Sequence, residues 1–278
     1  MTLLVVTGYA SLDYAVGLDG QALGDTTTLI VRRDPNAWPR AGGCPTYIAA
    51  AAVRAGQNAA PIMWVGSGSE GQRFNALLAG QGVPTEGIGV TESERSPTSM
   101  LVYQADGSCI CLYDPALDRR EQLNEALLGL IARASHLCIS VGPPQLMDQI
   151  LDACPKGARL YWAVKNDPDA FPPALRARLS TRADVIFCNA SELGLIGSTD
   201  AVIVETRGAR GVAVRHGGKV GELPTQAVEI KDATGAGDTF AGGYIAAEMA
   251  GADNMKAAQA GLQAAASLLI ARLERTKT

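Results

Sequence analysis

A short stretch near the C-terminal end of the chain combines small and acidic residues in an order that suits phosphate chemistry. Gly235, Ala236 and Gly237 form a small-residue turn. Asp238 follows at once, and an apolar run of helical character begins at Phe240. The first turn of a helix has amides without acceptors at the positive end of its dipole, so it can bind an anion. Asp238 would repel a phosphate there, but as a general base it would orient and deprotonate a hydroxyl attacking a phosphoryl group.

The same four residues also have a simpler interpretation. Glycine before a helix and aspartate in its first turn are typical of ordinary helix capping. Positions 235–238 alone therefore leave both interpretations open, and the flanking residues have to decide between them.

The flanking residues extend the turn to DATGAGDTF over positions 232–240. This segment resembles the C-terminal signature of the PfkB/ribokinase family of carbohydrate and nucleoside kinases, usually DTxGAGDxF, with Ala233 as the departure. The resemblance covers the whole chain. It implies an ATP-dependent kinase that phosphorylates a hydroxymethyl group of a sugar or nucleoside, with Asp238 as base and the amides of residues 235–237 as anion hole. In ribokinase-like relatives the residue at Asp232 helps to hold potassium, so a monovalent-cation site and potassium activation are implied too.

Two further groups of residues lie nearer the N-terminus. Asp13 follows the first strand, and Gly42 and Gly43 precede a helix; alone, each is typical of a turn. The resemblance implies that they meet beneath a lid, where the Asp13 carboxylate accepts hydrogen bonds from substrate hydroxyls. Tyr47 stands where the family commonly has an asparagine that contacts the sugar. The acceptor pocket is therefore expected to differ from that of ribokinase, and a nucleoside or another modified ring stacked on Tyr47 is one option.

An N-x-x-E element follows the strand predicted at 184–188. Its Asn189 and Glu192 are three residues apart and share a face of a helical turn. Such a pair is also a common helix start. The resemblance associates it with Mg²⁺ and phosphate through bound water, which suits an ion that retains much of its hydration shell.

The nucleotide site is implied by two other segments. Thr206, Gly208 and Gly211 form a T-x-G-x-x-G turn that contacts nucleotide phosphates in the family. Without the resemblance, a glycine-rich hairpin turn would be the preferred interpretation. Gln263 lies on a helix of small residues that borders the adenine in relatives.

Two segments point in other directions. GSGSEG at 66–71 fits the dinucleotide-binding pattern G-x-G-x-x-G, but it is not in the first βαβ unit. The resemblance aligns it with a G-D-D-x-x-G turn of sugar kinases, with Ser67 and Gly68 replacing the acids. Ala163 and Lys165 replace a family D-x-N. Lys165 either adds positive charge near the phosphate path or is a solvated loop lysine.

The elements that must position these residues alternate between strands and helices. This rhythm predicts a three-layer α/β/α sandwich with a mainly parallel sheet, and the resemblance makes residues 1–278 one ribokinase-like domain. Buried parallel strands are predicted at 3–6, 60–65, 136–140, 159–163, 184–188 and 201–205, and helices at 46–55, 70–81, 121–134, 144–154 and 173–179.

Residues 13–33 and 98–113 interrupt this rhythm. Both alternate without a helix, and Asp106-Gly107 is a strong hairpin signal. They predict a small separate sheet, which could exclude water as a lid and offer an apolar face for a homodimer contact. Surface hairpins without a role are the alternative.

Composition sets limits on location and partners. The chain has 278 residues, 47% of them apolar, and a net charge of −4, so it lacks the basic surface expected of a nucleic-acid binder. No apolar run reaches the length of a membrane span. Six scattered cysteines predict reduced, buried thiols in a cytoplasmic protein, with Cys109 and Cys111 on one strand face.

A non-catalytic sugar or nucleoside sensor on a kinase fold is the competing hypothesis. The departures at Tyr47 and Ala163 favour it. The intact Gly-Ala-Gly-Asp turn argues against it, because a sensor needs no base beside a phosphate site.

Overall fold

A large, mainly parallel sheet runs through the middle of the molecule, and a small second sheet covers one end. The computed structural model describes residues 2–225 and 230–275; the rest of the predicted domain, 1, 226–229 and 276–278, lies outside the described residues. The described strands are β1 Leu4–Thr7, β2 Ser11–Leu18, β3 Ile30–Arg32, β4 Arg40–Gly42, β5 Ala59–Gly66, β6 Ile88–Thr91, β7 Thr98–Tyr103, β8 Cys109–Asp114, β9 His136–Ile139, β10 Arg159–Ala163, β11 Val185–Asn189, β12 Val202–Thr206, β13 Val212–His216 and β14 Lys219–Leu223. The described α-helices are α1 Cys44–Arg54, α2 Ser69–Ala79, α3 Glu125–Ala132, α4 Pro144–Ala153, α5 Pro173–Arg182, α6 Ala236–Met249 and α7 Asn254–Arg275.

The strand order of the large sheet is β14-β13-β12-β11-β10-β9-β1-β5-β6 within the described residues. Neighbours from β12 to β6 are parallel, whereas β13 and β14 are antiparallel additions at one edge. Leu4 and Val6 pack into the core on one face of the sheet, and Val5 packs into the core on the other. Because both faces are covered, the strands are continuous apolar runs. The predicted α/β/α sandwich is confirmed.

The predicted elements agree with the observed ones except at two helices. The helix predicted at 173–179 continues to Arg182. All six predicted strands are found within one residue at each end. The helix predicted at 121–134 begins only at Glu125, because the Asn124 side chain accepts a hydrogen bond from the Leu127 amide and caps the helix there. The N-terminal bound of that prediction is wrong.

The second sheet has the order β3-β2-β7-β8, with β4 paired to β2. Its strands come largely from the two segments that interrupt the helix–strand rhythm, and β7 and β8 form an antiparallel hairpin. One face of the hairpin carries Leu101, Cys111 and Tyr113, which line a cavity. Met100 and Leu112, which pair across the hairpin, lie on the opposite face and are exposed.

The cysteines divide by location. Four are buried in the core, but Cys109 and Cys111 are exposed, which contradicts the prediction that all six are buried. The reason is that β8 is an edge strand of a single-layer sheet, so neither of its faces is fully covered. In the described ranges, no helix combines the length and apolar character that a membrane span requires.

Candidate functional site

The carboxyl ends of the parallel strands form one edge of the large sheet. At β1 the strand order reverses, because β5 and β6 follow on one side of β1 and β9 and β10 on the other. The loops after β1 and β9 meet there, and the Tyr9 amide donates to the Val141 carbonyl at 2.8 Å. Such a reversal opens a crevice that binds ligands in α/β sheets. A cavity of about 380 Å³ lies at this point. It is lined by residues of the second sheet, of the starts of α1 and α6, and of the loops after β1, β9 and β10: Tyr9, Ala10, Ser11, Asp13, Gly43, Cys44, Tyr47, Ser99, Leu101, Cys111, Tyr113, Val141, Lys165, Asp167, Thr234, Gly235 and Asp238.

Helix α6 begins at this cavity. Gly235 precedes it with φ of +70°, a backbone conformation that favours glycine, and Asp238 lies in the first turn. The Ala236 amide already donates to the Ala233 carbonyl at 3.0 Å, which removes Ala236 from the predicted anion hole. Within residues 2–225 and 230–275, the Gly235 and Gly237 amides have no protein acceptor and remain available for an anion.

Asp238 is 8% exposed and faces two polar neighbours. The Lys165 ammonium lies 3.7 Å from its carboxylate, and this charge is the largest cause that raises the pKa of Lys165. Lys165 is therefore a charged group inside the site, although its side chain is 39% exposed. Burial, and then the Asp238 charge, raise the pKa of the Cys44 thiol, so Cys44 is neutral.

Asp13 lies across the cavity from α6 and is buried at the second sheet. A Cβ at Gly42 would lie 2.2 Å from its carboxyl carbon, so only glycine allows the carboxylate to rest on this backbone. Gly43 shows the same restriction, because its Cβ would meet the Tyr9 carbonyl oxygen at 2.1 Å. Burial raises the pKa of Asp13, while the nearby Arg40 opposes that shift. Asp13 and Gly43 line the cavity, whereas Gly42 is not among its lining residues, and the contact of all three with a substrate stays a prediction.

Tyr47 lies between Asp13 and Gly235 and contacts both. Its hydroxyl donates to the Asp13 carboxylate at 3.2 Å, and its ring lies where a Cβ of Gly235 would come within 2.5 Å. The residue is only 6% exposed, so its ring offers little surface on which a substrate base could stack. A different aromatic pair is more accessible: the rings of Tyr9 and Tyr113 lie 5.6 Å apart, and both line the cavity.

Asp232 lies just before residues 235–237, which are called the anion turn below, and it is surrounded by donors. Its carboxylate forms an ion pair with Arg40 at 2.5 Å and accepts hydrogen bonds from the Tyr103 hydroxyl at 2.9 Å and the Thr234 amide at 3.0 Å. Arg272 adds a second guanidinium at 3.4 Å. Burial opposes ionisation, but the two arginines hold the pKa of this carboxyl well below its usual range.

The predicted magnesium pair lies at the end of β11. Asn189 Oδ1 accepts hydrogen bonds from the Ser191 and Glu192 amides, and Glu192 accepts one from the Asn189 amide. These bonds hold the turn in a fixed shape. Across the described ranges, no group of three or more acidic, cysteine or histidine residues could enclose a metal ion. The donor set therefore fits Mg²⁺ only with ligands from water and nucleotide phosphates.

The predicted phosphate turn lies beside this pair. Thr206 is the register partner of Asn189 in the neighbouring strand, and its hydroxyl donates to the Cys188 carbonyl at 3.3 Å. The turn after it closes through the Arg207 amide, which donates to the Gly211 carbonyl at 2.8 Å, and Gly208 lies within it. The structure thus brings the predicted magnesium and phosphate elements to one edge of the sheet.

Gln263 lies elsewhere. It lines a groove of about 580 Å³ formed by α1, α6 and α7, and the groove shares no lining residue with the cavity at Asp238. The structure does not bring Gln263 together with Thr206 and Gly211, and its contact with adenine stays a prediction.

The G-x-G-x-x-G segment is occupied by the protein itself. The Ser67 amide donates to the Ser93 carbonyl at 2.7 Å, and the Gly66 amide donates to the Ser96 hydroxyl at 3.0 Å. Two of the amides in this turn are therefore already used, and the segment packs against the chain near Ser93.

Sequence reasoning missed several residues of the site. Arg40, Arg272 and Tyr103 bind the Asp232 carboxylate. Tyr9 and Tyr113 form the aromatic pair at the cavity. Of these residues, Arg40 alone lies close in sequence to a predicted site residue, because it comes two residues before Gly42. The other partners are distant in sequence and carry no shared pattern.

Comparisons with known proteins agree with the fold described above. The model of the pfkB family of carbohydrate kinases matches residues 1–274. A nucleoside kinase of Methanothermobacter thermautotrophicus is 24% identical over 266 residues, which cover 90% of this chain and 84% of the relative. A ribokinase of Cryptococcus neoformans var. grubii serotype A, solved with ADP, superposes with a TM-score of 0.81 at 22% identity, covering 95% of this chain and 93% of that one. A nucleoside kinase of Methanocaldococcus jannaschii superposes at 0.80 and 18% identity, covering 97% and 92%. The chain thus belongs to the pfkB family of carbohydrate kinases and is a phosphotransferase with an alcohol group as acceptor.

Proposed function

We propose that this chain transfers the γ-phosphoryl group of ATP to a hydroxymethyl group of a nucleoside or sugar bound between Asp13 and Asp238. The observation that carries the proposal is the position of Asp238. Its carboxylate lies in the first turn of α6 at a cavity, next to amides of Gly235 and Gly237 that have no acceptor among the described residues. A base and an anion site in such proximity suit phosphoryl transfer.

In the proposed reaction, Asp238 accepts the proton of the attacking hydroxyl. The Gly235 and Gly237 amides and the Lys165 ammonium stabilise the charge on the transferring phosphoryl group. Asp13 holds other hydroxyls of the acceptor and thereby aligns it with the phosphoryl group. Thr206, Gly208 and Gly211 contact the nucleotide phosphates. When bound, Mg²⁺ neutralises charge on those phosphates, and Asn189 and Glu192 hold it through water.

The aromatic pair favours a nucleoside as the acceptor. Tyr9 comes from the loop after β1 and Tyr113 from the second sheet, and their rings contact each other, so a base would stack against the outer surface of this pair. Stacking on an aromatic side chain contributes about 1–3 kcal/mol per base. The nucleoside kinases among the similar proteins agree with this preference.

The test is the release of ADP over a panel of acceptors that contains inosine, cytidine and ribose, with Asp238→Asn as the background. We expect turnover with at least one nucleoside and little with free ribose. Nucleoside binding without ADP release from the native protein would instead support the sensor.

We further propose a cytoplasmic homodimer that forms through the outer face of the second sheet. Met100, Ile110 and Leu112 are exposed on that face, and a second copy would cover them. Leu112→Asp should convert the dimer to a monomer in light scattering after size exclusion. A native protein that is monomeric at all concentrations would contradict this part of the proposal.

A further inference from the structure

Arg272 inserts a positive charge beneath the anion turn. Its Nη1 atom lies 2.5 Å from the Thr234 carbonyl oxygen, 3.2 Å from the Asp232 carbonyl oxygen and 3.4 Å from the Asp232 carboxylate. One charged nitrogen thus has three oxygen atoms around it. Two of these oxygens belong to the backbone that leads directly into Gly235.

This is the position that the family resemblance implies for potassium. A monovalent cation beside Asp232 would need carboxylate and carbonyl oxygens as ligands, since these are the donors that hard cations prefer. The nearest such oxygens are the ones that Arg272 already binds. The residues present therefore do not fit a potassium ion at this place.

The local charge balance leads to the same conclusion. Asp13, Arg40, Asp232 and Arg272 form a continuous chain in which two carboxylates meet two guanidinium groups. Each of these four side chains is at most 16% exposed. An additional cation would leave an uncompensated positive charge in a poorly hydrated place, which is strongly unfavourable.

We propose that Arg272 replaces the monovalent cation, so that a side chain holds the anion turn in its binding geometry and the protein does not respond to potassium. Arg272 acts as a positioning residue. It also lies over the Tyr47 ring, with its guanidinium carbon 5.7 Å from the ring centroid, so that the anion turn and the acceptor cavity share one support. The kinetic consequence rests on the proposed kinase function, but the structural consequence does not.

The experiment compares melting temperatures in equal concentrations of KCl, NaCl and choline chloride. The native protein should melt at the same temperature in all three salts. Arg272→Ala should melt about 5 °C lower in choline chloride, because hydrogen bonds from a charged group are lost. KCl should then raise its melting temperature by about 3 °C over choline chloride, as the ion enters the vacated position.

The matched control is Lys256→Ala, which removes a cation from the same helix where the side chain is 79% exposed. It should show no response to potassium. ADP release by Arg272→Ala should rise in KCl, whereas a purely structural loss would not be restored by one particular ion.

Two outcomes would overturn the proposal: a potassium-dependent rise in the melting temperature of the native protein, or an Arg272→Ala protein that melts identically in all three salts. Should Arg272→Ala not fold, Arg272→Lys retains the charge and must stay indifferent to potassium, since a response there would also contradict the proposal. Melting temperatures require no turnover, so these results are independent of the test of the kinase activity.

Discussion

Two aspartates, six residues apart, bracket the anion turn and have opposite surroundings. Asp232 is bound by two arginines, a tyrosine hydroxyl and a backbone amide. Asp238 faces a cavity, and its charged neighbour is a lysine at 3.7 Å. Both are nearly buried, so burial does not distinguish them.

The difference lies in what remains available to a ligand. A carboxylate whose acceptor positions are all used by the protein fixes the structure around it, and its loss leaves other charges unpaired. A carboxylate that is held loosely beside open space can accept a proton from a substrate. We therefore propose that Asp232 stabilises the fold and that Asp238 takes part in the reaction.

The largest expected effect comes from Asp238→Asn. The amide cannot accept the hydroxyl proton, so turnover should fall by about three orders of magnitude in an ADP-release assay. The melting temperature should stay near the native value, because the Lys165 side chain, which loses its partner, is 39% exposed and can be hydrated. Asp200→Asn, a change at an exposed aspartate, is the control and should have native turnover. Turnover retained in Asp238→Asn would remove this residue from the mechanism.

The same substitution at the other aspartate, Asp232→Asn, should mainly lower the free energy of unfolding. Arg40 and Arg272 would lose their carboxylate in a poorly hydrated place, at an expected cost of about 3 kcal/mol in the free energy of unfolding. Urea unfolding measures this cost. If Asp232→Asn were as stable as the native protein, the two aspartates would not differ in the way described above.

Lys165→Met addresses the lysine beside Asp238. If the ammonium stabilises the transferring phosphoryl group, its removal should lower turnover about 100-fold, comparable to the loss of one donor from an anion hole. Stability should change by less than about 1 kcal/mol, because the pair is partly solvated. Native turnover in Lys165→Met would show that the lysine does not stabilise the transferring phosphoryl group.

The smallest effect is a dependence of stability on pH. The pKa of Asp232 is lowered in the folded protein, so the unfolded chain binds the proton first as the pH falls below about 4. The stability that Asp232 contributes is complete above that pH and declines below it. The difference in unfolding free energy between the native protein and Asp232→Asn should therefore narrow between about pH 4 and pH 2. A constant difference over that range would contradict the lowered pKa.

How much of this contrast could be predicted from the sequence depends on distance along the chain. The turn at Asp238 could be predicted because its glycines and its acid are contiguous in the sequence. Strands such as β10 could be predicted because burial on both faces leaves an uninterrupted apolar run. The residues that surround Asp232 could not be predicted from the sequence. Its partners at positions 40, 103 and 272 come from the second sheet and the last helix.

The acceptor cavity shows the same limit. Tyr9 and Tyr113 are brought together only by the folding of the second sheet over the large one. The exposure of Cys111 likewise depends on the position of β8 at an edge, which an alternating pattern cannot reveal.

The bonds of Arg40 and Tyr103 to Asp232 also determine how the cavity opens. Arg40 belongs to β4 and Tyr103 to the end of β7, so both fasten the small sheet to the segment before α6. Strand β8 has no such fastening to Asp232. We therefore expect the acceptor to pass beneath the β8 margin, and hydrogen–deuterium exchange should be faster in β8 than in β4. Equal protection of the two strands would argue for a different route.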